Sequence, residues 1–244
     1  MINELWPGRP RFRDAAGVFR LGTDSVLLAH FAKSAGIKKK KRAADLGCGS
    51  GIISVLLAWD EPGLAIDGID INPGAVRLAL ENVNLCGLDG RINVFGGDLR
   101  QYCDLFQAGA YDLTVSNPPY YTQGSGKRPD DADMAAARGE ECCTLADVCG
   151  AAGYITRWGG SFVLVHKPER LAEVFRSLSG AGFEPKRLRF VQHKATTPPS
   201  LVLVESRRGG NPSLKVEAPL ILANGDGSDT REVRAIYHRE NREA

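Results

Sequence analysis

Asn117, Pro118, Pro119 and Tyr120 are the residues of this 244-residue chain whose types and spacing best suit chemistry. Two consecutive prolines fix two φ angles and push the residues before them toward extended backbone. Asn117 and Pro118 therefore form a rigid shelf that offers a side-chain amide oxygen, a carbonyl that no helix or strand takes up, and beside them the Tyr120 ring. Two acceptors next to an aromatic face fit a planar molecule with an exocyclic NH2: the acceptors take both amine hydrogens while the ring stacks. A proline-rich turn with a buried tyrosine is the plain alternative for four residues taken alone.

The shelf needs a strand to aim it. Tyr111-Asp112-Leu113-Thr114-Val115 is a short β-rich run, and the prolines force the chain to leave the sheet at Asn117. Polar groups at the carboxyl ends of strands are where open α/β sheets bind ligands. Upstream, Arg42 to Leu46 reads as a buried strand, followed by Gly47-Cys48-Gly49-Ser50-Gly51 and an apolar helix, Ile52 to Trp59. Glycines at 47, 49 and 51 permit a tight turn and close approach of a ligand to the backbone. A dinucleotide fingerprint wants its third glycine one place later, where Ile52 stands, so the pattern is Asp-x-Gly-x-Gly-x-Gly and opposes a nicotinamide-dependent oxidoreductase. Leu64 to Asp70 is a second strand, and Asp70 follows the glycine turn by about 20 residues, the offset at which a carboxylate receives ribose hydroxyls; Asp67, inside the strand, is the poorer candidate. Asn72 caps a helix with Pro73 at its first position that runs to Cys86, with Val76, Leu80 and Val83 as its core positions. Arg91 to Phe95 is a third strand, and Asp98 beyond it is either a ligand acceptor at a strand's carboxyl end or the N-cap of Leu99 to Phe106.

This alternation demands a parallel sheet with helices on both faces: an α/β, doubly wound fold. Before it, Leu21 to Ala29 turns helical, with Thr23 or Asp24 as its N-cap, and is placed to close over a cofactor. After it, residues 121–140 read as a mobile loop beside the shelf. Thr144 to Trp158 is a helix, Ser161 to His166 a fifth strand, Pro168 to Leu178 a helix, and Lys186 to Gln192 and Leu201 to Arg207 an antiparallel final pair. Val216 to Ala223 and a basic helix, Arg231 to Arg239, complete a chain without repeats or linkers, organised as one domain over 1–244 with a basic amino-terminal arm and lid, 1–30, and a carboxyl-terminal appendage, 208–244.

Composition narrows the partners. No apolar run approaches the roughly 18 residues of a membrane span, and the first 20 residues lack a signal-peptide core, which places the chain in the cytoplasm and away from membranes. The six cysteines form no CxxC pair and no zinc set, so no metal is expected. Net charge is only +2, but its cations cluster: Arg9, Arg11, Arg13 and Arg20 on the arm, Lys38 to Arg42, and Lys186, Arg187, Arg189, His193 and Lys194. The Lys38 to Arg42 run reads best as a solvated face, and together the three clusters leave a phosphate-binding surface open.

Asp45 to Gly51 resembles motif I of class I S-adenosylmethionine-dependent methyltransferases, and Asn117 to Tyr120 resembles the Asn-Pro-Pro-Tyr motif of enzymes that methylate amino groups conjugated to a π-system. With Arg11-Phe12-Arg13, Leu21 to Leu28 and the tail from Pro219 to Tyr237, the whole chain resembles the bacterial tRNA adenine-37 N6-methyltransferases. The resemblance implies a seven-stranded Rossmann-like sheet with its last strand antiparallel and S-adenosylmethionine as cofactor, with Thr23 and Asp24 near its methionine end. Candidate catalytic residues are then Asn117, Pro118, Pro119 and Tyr120; candidate cofactor residues are Thr23, Asp24, Asp45, Gly47, Gly49, Gly51, Asp70, Asp98 and Asn117. The partner implied is tRNA or another structured RNA, not DNA, since no separate recognition domain fits, and the chain is taken as a monomer. A protein glutamine N5-methyltransferase or rRNA guanine N2-methyltransferase shares the two motifs, and a non-catalytic RNA-binding module is the reading from another class.

Overall fold

A computed structural model describes residues 2–6, 10–13, 22–118 and 143–239. Its centre is β3 (Arg42–Leu46), which pairs in parallel with β4 (Ala65–Asp70) on one side and β6 (Tyr111–Ser116) on the other. Outward from β4 lies β5 (Ile92–Gly96), and outward from β6 lie β7 (Thr156–His166), β9 (Pro199–Arg208) and β8 (Phe183–Gln192). All but one of these seven run in the same direction; β9 is antiparallel to both its neighbours, as the sequence leads one to expect. Two short strands, β10 (Lys215–Val216) and β11 (Leu220–Ile221), add parallel pairing along the outer edge of β8, so the sheet holds nine strands where seven were expected. A separate hairpin of β1 (Ile2–Glu4) and β2 (Arg11–Arg13) forms the amino-terminal ribbon.

Both faces of the sheet are covered, and the period-2 alternation of strand side chains divides the core accordingly. Ala43, Leu113, Val115, Val163, Val165, Leu201 and Leu203 face α1 (Thr23–Lys33), α2 (Ile52–Asp60) and α3 (Pro73–Leu85). Ala44, Leu46, Phe162, Leu164, Val202 and Val204 face the short α4 (Tyr102–Leu105), α5 (Leu145–Ile155) and α6 (Leu171–Gly180). A last helix, α7 (Arg231–Ile236), buries Val233 and Ile236 in the first of these clusters, beside Trp6 and Phe12 of the ribbon.

Several local expectations change. α1 is capped by Gly22 without a side-chain hydrogen bond, so Thr23 and Asp24 are its first helical residues and neither is its N-cap. On α3 the buried stripe is Ala75, Leu78, Ala79, Asn82 and Val83, and Leu80 is 40% exposed. α5 ends at Ile155, short of Trp158, because β7 begins at once and runs through Gly159 and Gly160 with a register shift against β6. Asn72 does cap α3, accepting from the backbone N–H of Gly74 at 2.8 Å.

Candidate active site

The site is assembled where β3, β4 and β6 end side by side. Asp45 on β3 stands opposite Val115 on β6, and Ser116 Oγ donates to the carbonyl of Leu46 at 2.7 Å. Adjacent strands lie about 4.8 Å apart, so the glycine turn after β3 and the prolyl turn after β6 leave the sheet as neighbours.

Gly47, Gly49 and Gly51 adopt φ of +72°, +55° and +76°, backbone that side chains resist. Gly51 also lies against α3, where a Cβ would sit 3.1 Å from that of Ala79. The turn is tied to the next strand: Gly47 N–H and Cys48 N–H both donate to the carbonyl of Ile69 at 2.9 Å. Asp70, at the end of β4, braces it further, accepting from Gly49 N–H at 2.8 Å on Oδ2 and from Asn72 N–H at 2.9 Å on Oδ1. Those bonds leave lone pairs on both oxygens for hydroxyl donors. Burial raises the Asp70 pKa. Asp67 stands apart, bound to Tyr111, Arg42 and Asn93 toward the amino ends of the strands.

Asp45 is fully buried. Its Oδ2 accepts from Ser54 Oγ at 2.7 Å and from Ser54 N–H at 3.2 Å, while Oδ1 has no hydrogen-bond partner. Burial, less the relief of the Ser54 bonds, pushes its pKa up to about 7. Asp98 caps the turn into α4 by accepting from Arg100 N–H at 2.9 Å, and the Arg100 side chain pairs with the same carboxylate, holding its pKa below the usual range. The capping role weighed from the sequence is thus the one seen, and an adenine amine at Asp98 would share the carboxylate with Arg100.

Just after β6, Asn117 is half-buried and Pro118 buried; Asn117 Nδ2 donates to Ser25 Oγ of α1 at 3.1 Å. This bond brings the start of α1, with Thr23 and Asp24, to the prolyl turn. Thr23 in turn faces the Tyr237 hydroxyl of the carboxyl-terminal tail, where it opposes the rise in pKa that burial causes. Pro119, Tyr120 and the 121–140 loop lie outside the described residues, as do Arg9 and Arg20.

Three polar residues that contribute here escaped the sequence reading. Ser25 is one; a buried serine in an apolar helix is its only signal. Asn82, fully buried on α3, donates from Nδ2 to the carbonyl of Ser50 at 2.9 Å and accepts at Oδ1 from Arg13 N–H at 2.7 Å, joining the ribbon to the glycine turn. His166 ends β7, beside β6; burial, with the Arg170 cation, lowers its pKa to about 4, and Nδ1 accepts from Lys167 N–H at 2.8 Å, so the neutral ring carries its proton on Nε2.

The basic clusters look different in three dimensions. Lys40, Lys41 and Arg42 bond Asp112, Ser161 and Asp67 at the amino ends of the strands, opposite the site. Arg187 pairs with Glu205 and Glu217, and Arg189 with Glu232. On the ribbon, Arg11 and Arg13 pair with Glu4 and Glu81. A recess of about 260 Å³ lined by Arg42, Asp67, Arg91 and Asn93 also opens at the amino ends and is remote from these loops. Among the described residues no group of His, Cys, Asp and Glu is arranged to hold a metal, and no helix is long and apolar enough to cross a membrane.

S-adenosylmethionine fits the residues present. The unpartnered buried Oδ1 of Asp45 and the side-chain-free turn at Gly47, where a Cβ would meet nothing within 4 Å, leave both an acceptor and room beside the Asp70 carboxylate.

This sheet order, with a glycine turn after the central strand and a prolyl turn after its neighbour, defines a class I methyltransferase. The model of the methyltransferase small domain matches residues 11–134, and the chain belongs to that family, within its bacterial tRNA (adenine-37-N6)-methyltransferase group. A relative from Tolumonas auensis named tRNA1(Val) (adenine(37)-N6)-methyltransferase is 30% identical over 89% of this chain and 87% of its own. One of the same name from Shigella dysenteriae is 32% identical over 78% of this chain and 76% of its own. Among solved structures, a predicted O-methyltransferase from Agrobacterium tumefaciens superposes with a TM-score of 0.70 at 19% identity, covering 88% of this chain and 96% of that one, a likeness of fold.

Proposed function

We propose that this chain transfers a methyl group from S-adenosylmethionine to the N6 amine of an adenine in tRNA, at position 37 of the anticodon loop. The observation that supports it most is the adjacency of the two turns, fixed by the Asp45–Val115 register and the bond from Ser116 to Leu46. The names and coverage of the relatives point to the same substrate. The donor supplies an electrophilic methyl on a sulfonium when bound, held by the glycine turn, Asp45 and Asp70, with Thr23 and Asp24 at its edge and Asp98 at its base.

The target adenine is extruded from the loop and stacked on Tyr120. Asn117 Oδ1 and the Pro118 carbonyl accept its two amine hydrogens, with Pro119 keeping that carbonyl in place. Both acceptors oppose delocalisation of the nitrogen lone pair into the ring and stabilise the positive charge that develops on nitrogen. The methylated amine is strongly acidic and releases its extra proton to water, so none of these residues has to act as a base. The reading extends to the whole chain: 1–244 as one domain, 1–30 as arm and lid, 208–244 as an appendage that packs on it, working in the cytoplasm as a monomer.

Incubation of the protein with labelled S-adenosylmethionine and total tRNA, followed by nucleoside mass analysis, is expected to yield N6-methyladenosine. Label appearing on protein and not on RNA would replace this reading with glutamine N5-methylation.

A further inference from the structure

Asp45 and Asp70 stand on adjacent strands and flank one turn. Asp45 lies opposite Gly68 in the pairing of β3 with β4, and Asp70 ends β4 with Gly49 N–H on its Oδ2 at 2.8 Å. Between them, Gly47 N–H and Cys48 N–H donate to the carbonyl of Ile69. The charge that acts on Asp45 is that of Asp70, which has the same sign.

Asp45 is the more confined of the two. It has no exposed surface; Oδ2 accepts both hydrogen bonds from Ser54, and Oδ1 has no partner. Its other surroundings are neutral: Val115 opposite it on β6, Ser54 on α2, and the Cys48 thiol of the turn, whose ionisation burial opposes. A buried carboxylate without a counter-charge is costly, and such a group takes up a proton instead. Burial accordingly pushes its pKa up to about 7, against the relief of the Ser54 bonds and with a smaller push from Asp70.

S-adenosylmethionine carries a sulfonium and an ammonium, so it brings the positive charge that the two carboxylates lack. We infer that the donor is admitted in exchange for a proton: the free protein holds Asp45 as the neutral acid, and the cationic donor ionises it as it settles on the glycine turn, the proton passing to water. This rests on the glycine turn as the donor's seat, proposed above, and is independent of which amine is methylated. By linkage, affinity for the donor rises with pH wherever the free protein binds more protons than the complex.

Calorimetric titration with S-adenosylmethionine in two buffers of different ionisation enthalpy counts the proton without any turnover. At pH 6 the wild type is expected to release about 0.9 proton, the neutral fraction of a group with a pKa of about 7, and its affinity to rise about fivefold from pH 6 to pH 7. The donor's own amine stays charged over that interval, since α-amino groups titrate near ~8. Asp45→Asn has no proton to exchange, so its release should fall below about 0.2 and its affinity should be flat between pH 6 and pH 7. Ser54→Ala removes a bond that favours the ionised form, so release at pH 7 should climb from about 0.5 toward one, a change that a mere loss of packing would not produce. A wild type that binds the donor and releases less than about 0.2 proton at pH 6 overturns the inference and leaves the donor's seat in place. So does release kept in full by Asp45→Asn, which would assign the proton to another group. If Asp45→Asn does not fold, Ser54→Ala decides alone, and an unchanged count at pH 7 overturns the inference. A wild type that binds no S-adenosylmethionine overturns both the inference and the reading on which it stands.

Discussion

Substituting alanine at Gly51 should damage the fold far more than the same change at Gly47, although both glycines have similar backbone angles. Gly51 has φ of +76° and Gly47 +72°, and in that left-handed region a Cβ costs ~1–2 kcal/mol at either position. The surroundings differ. A Cβ on Gly47 meets nothing within 4 Å, whereas on Gly51 it comes within 3.1 Å of Ala79 Cβ and 3.3 Å of Ala79 Cα. The second of these is backbone of α3, which cannot swing aside, and Ala79 is fully buried. Overpacking of this kind typically adds ~1–3 kcal/mol. The sum for Gly51→Ala is therefore ~2–5 kcal/mol, against ~1–2 for Gly47→Ala. At ~2–4 °C per kcal/mol for a chain of this size, the melting temperature should fall by about 4–20 °C and about 2–8 °C respectively. Cofactor titration by calorimetry should rank the two in the opposite sense relative to stability: Gly47→Ala places its methyl in the open space beside the turn and should weaken binding by about tenfold, ~1.4 kcal/mol. Equal melting temperatures for the two variants would refute the close approach of α2 to α3 at Gly51.

Four further outcomes are expected. Asn117→Ala should lose about 100-fold to 1000-fold in transfer rate, the usual effect of removing one aimed electrostatic partner, with cofactor affinity kept; near-normal turnover discards its role as acceptor. Asp45, with a pKa raised from 3.8 to about 7 by burial, binds a proton more tightly folded than unfolded. Its contribution is therefore fully present below about pH 4 and lost as pH rises to about 7, by up to ~1.4 kcal/mol per pH unit, and Asp45→Asn should flatten that part of the stability–pH curve measured by denaturant unfolding. Arg187→Ala strands Glu205 and Glu217 and uncovers Phe31, so equilibrium unfolding should show a loss of ~3 kcal/mol; a loss under 1 would mean the pairs are solvent-screened. Lys39 and Lys41 are exposed near the amino ends of the strands, away from the site, so Lys39→Ala and Lys41→Ala should change tRNA affinity by less than about twofold in salt titrations. A tenfold loss would move the RNA to that end of the sheet.

The parts of this fold that could be read from the chain are those fixed by local chemistry. Glycine, proline and asparagine punctuate: Gly47 to Gly51 ends β3, Asn72 and Pro73 start α3, and Asn117-Pro118 ends β6, each where the sequence puts it. Asp70 is likewise found at the end of its strand, bonded into the glycine turn. What escaped depends on partners distant in sequence. The stripe 75, 78, 79, 82 and 83 of α3 has helical spacing, but Asn82 sits inside it as a buried polar residue, and its bonds to Ser50 and Arg13 cannot be foreseen from the helix alone. Thr23 was the natural cap by type, yet the helix is capped by Gly22 and the Thr23 side chain faces Tyr237, more than two hundred residues later. The cations at 187 and 189 read as a free cluster because Glu205, Glu217 and Glu232, which neutralise them, arrive from three other segments. Strands as short as β10 and β11 have no pattern of their own and exist because β8 offers an unpaired edge.

Asn82 makes the amino-terminal ribbon and the glycine turn a single thermodynamic unit. One carboxamide grips the main chain of both, so a ligand that settles the turn also settles the ribbon, and a pull on the ribbon is felt at the turn. Such coupling is reciprocal: whatever factor the donor gains from a docked ribbon, the ribbon gains from a bound donor.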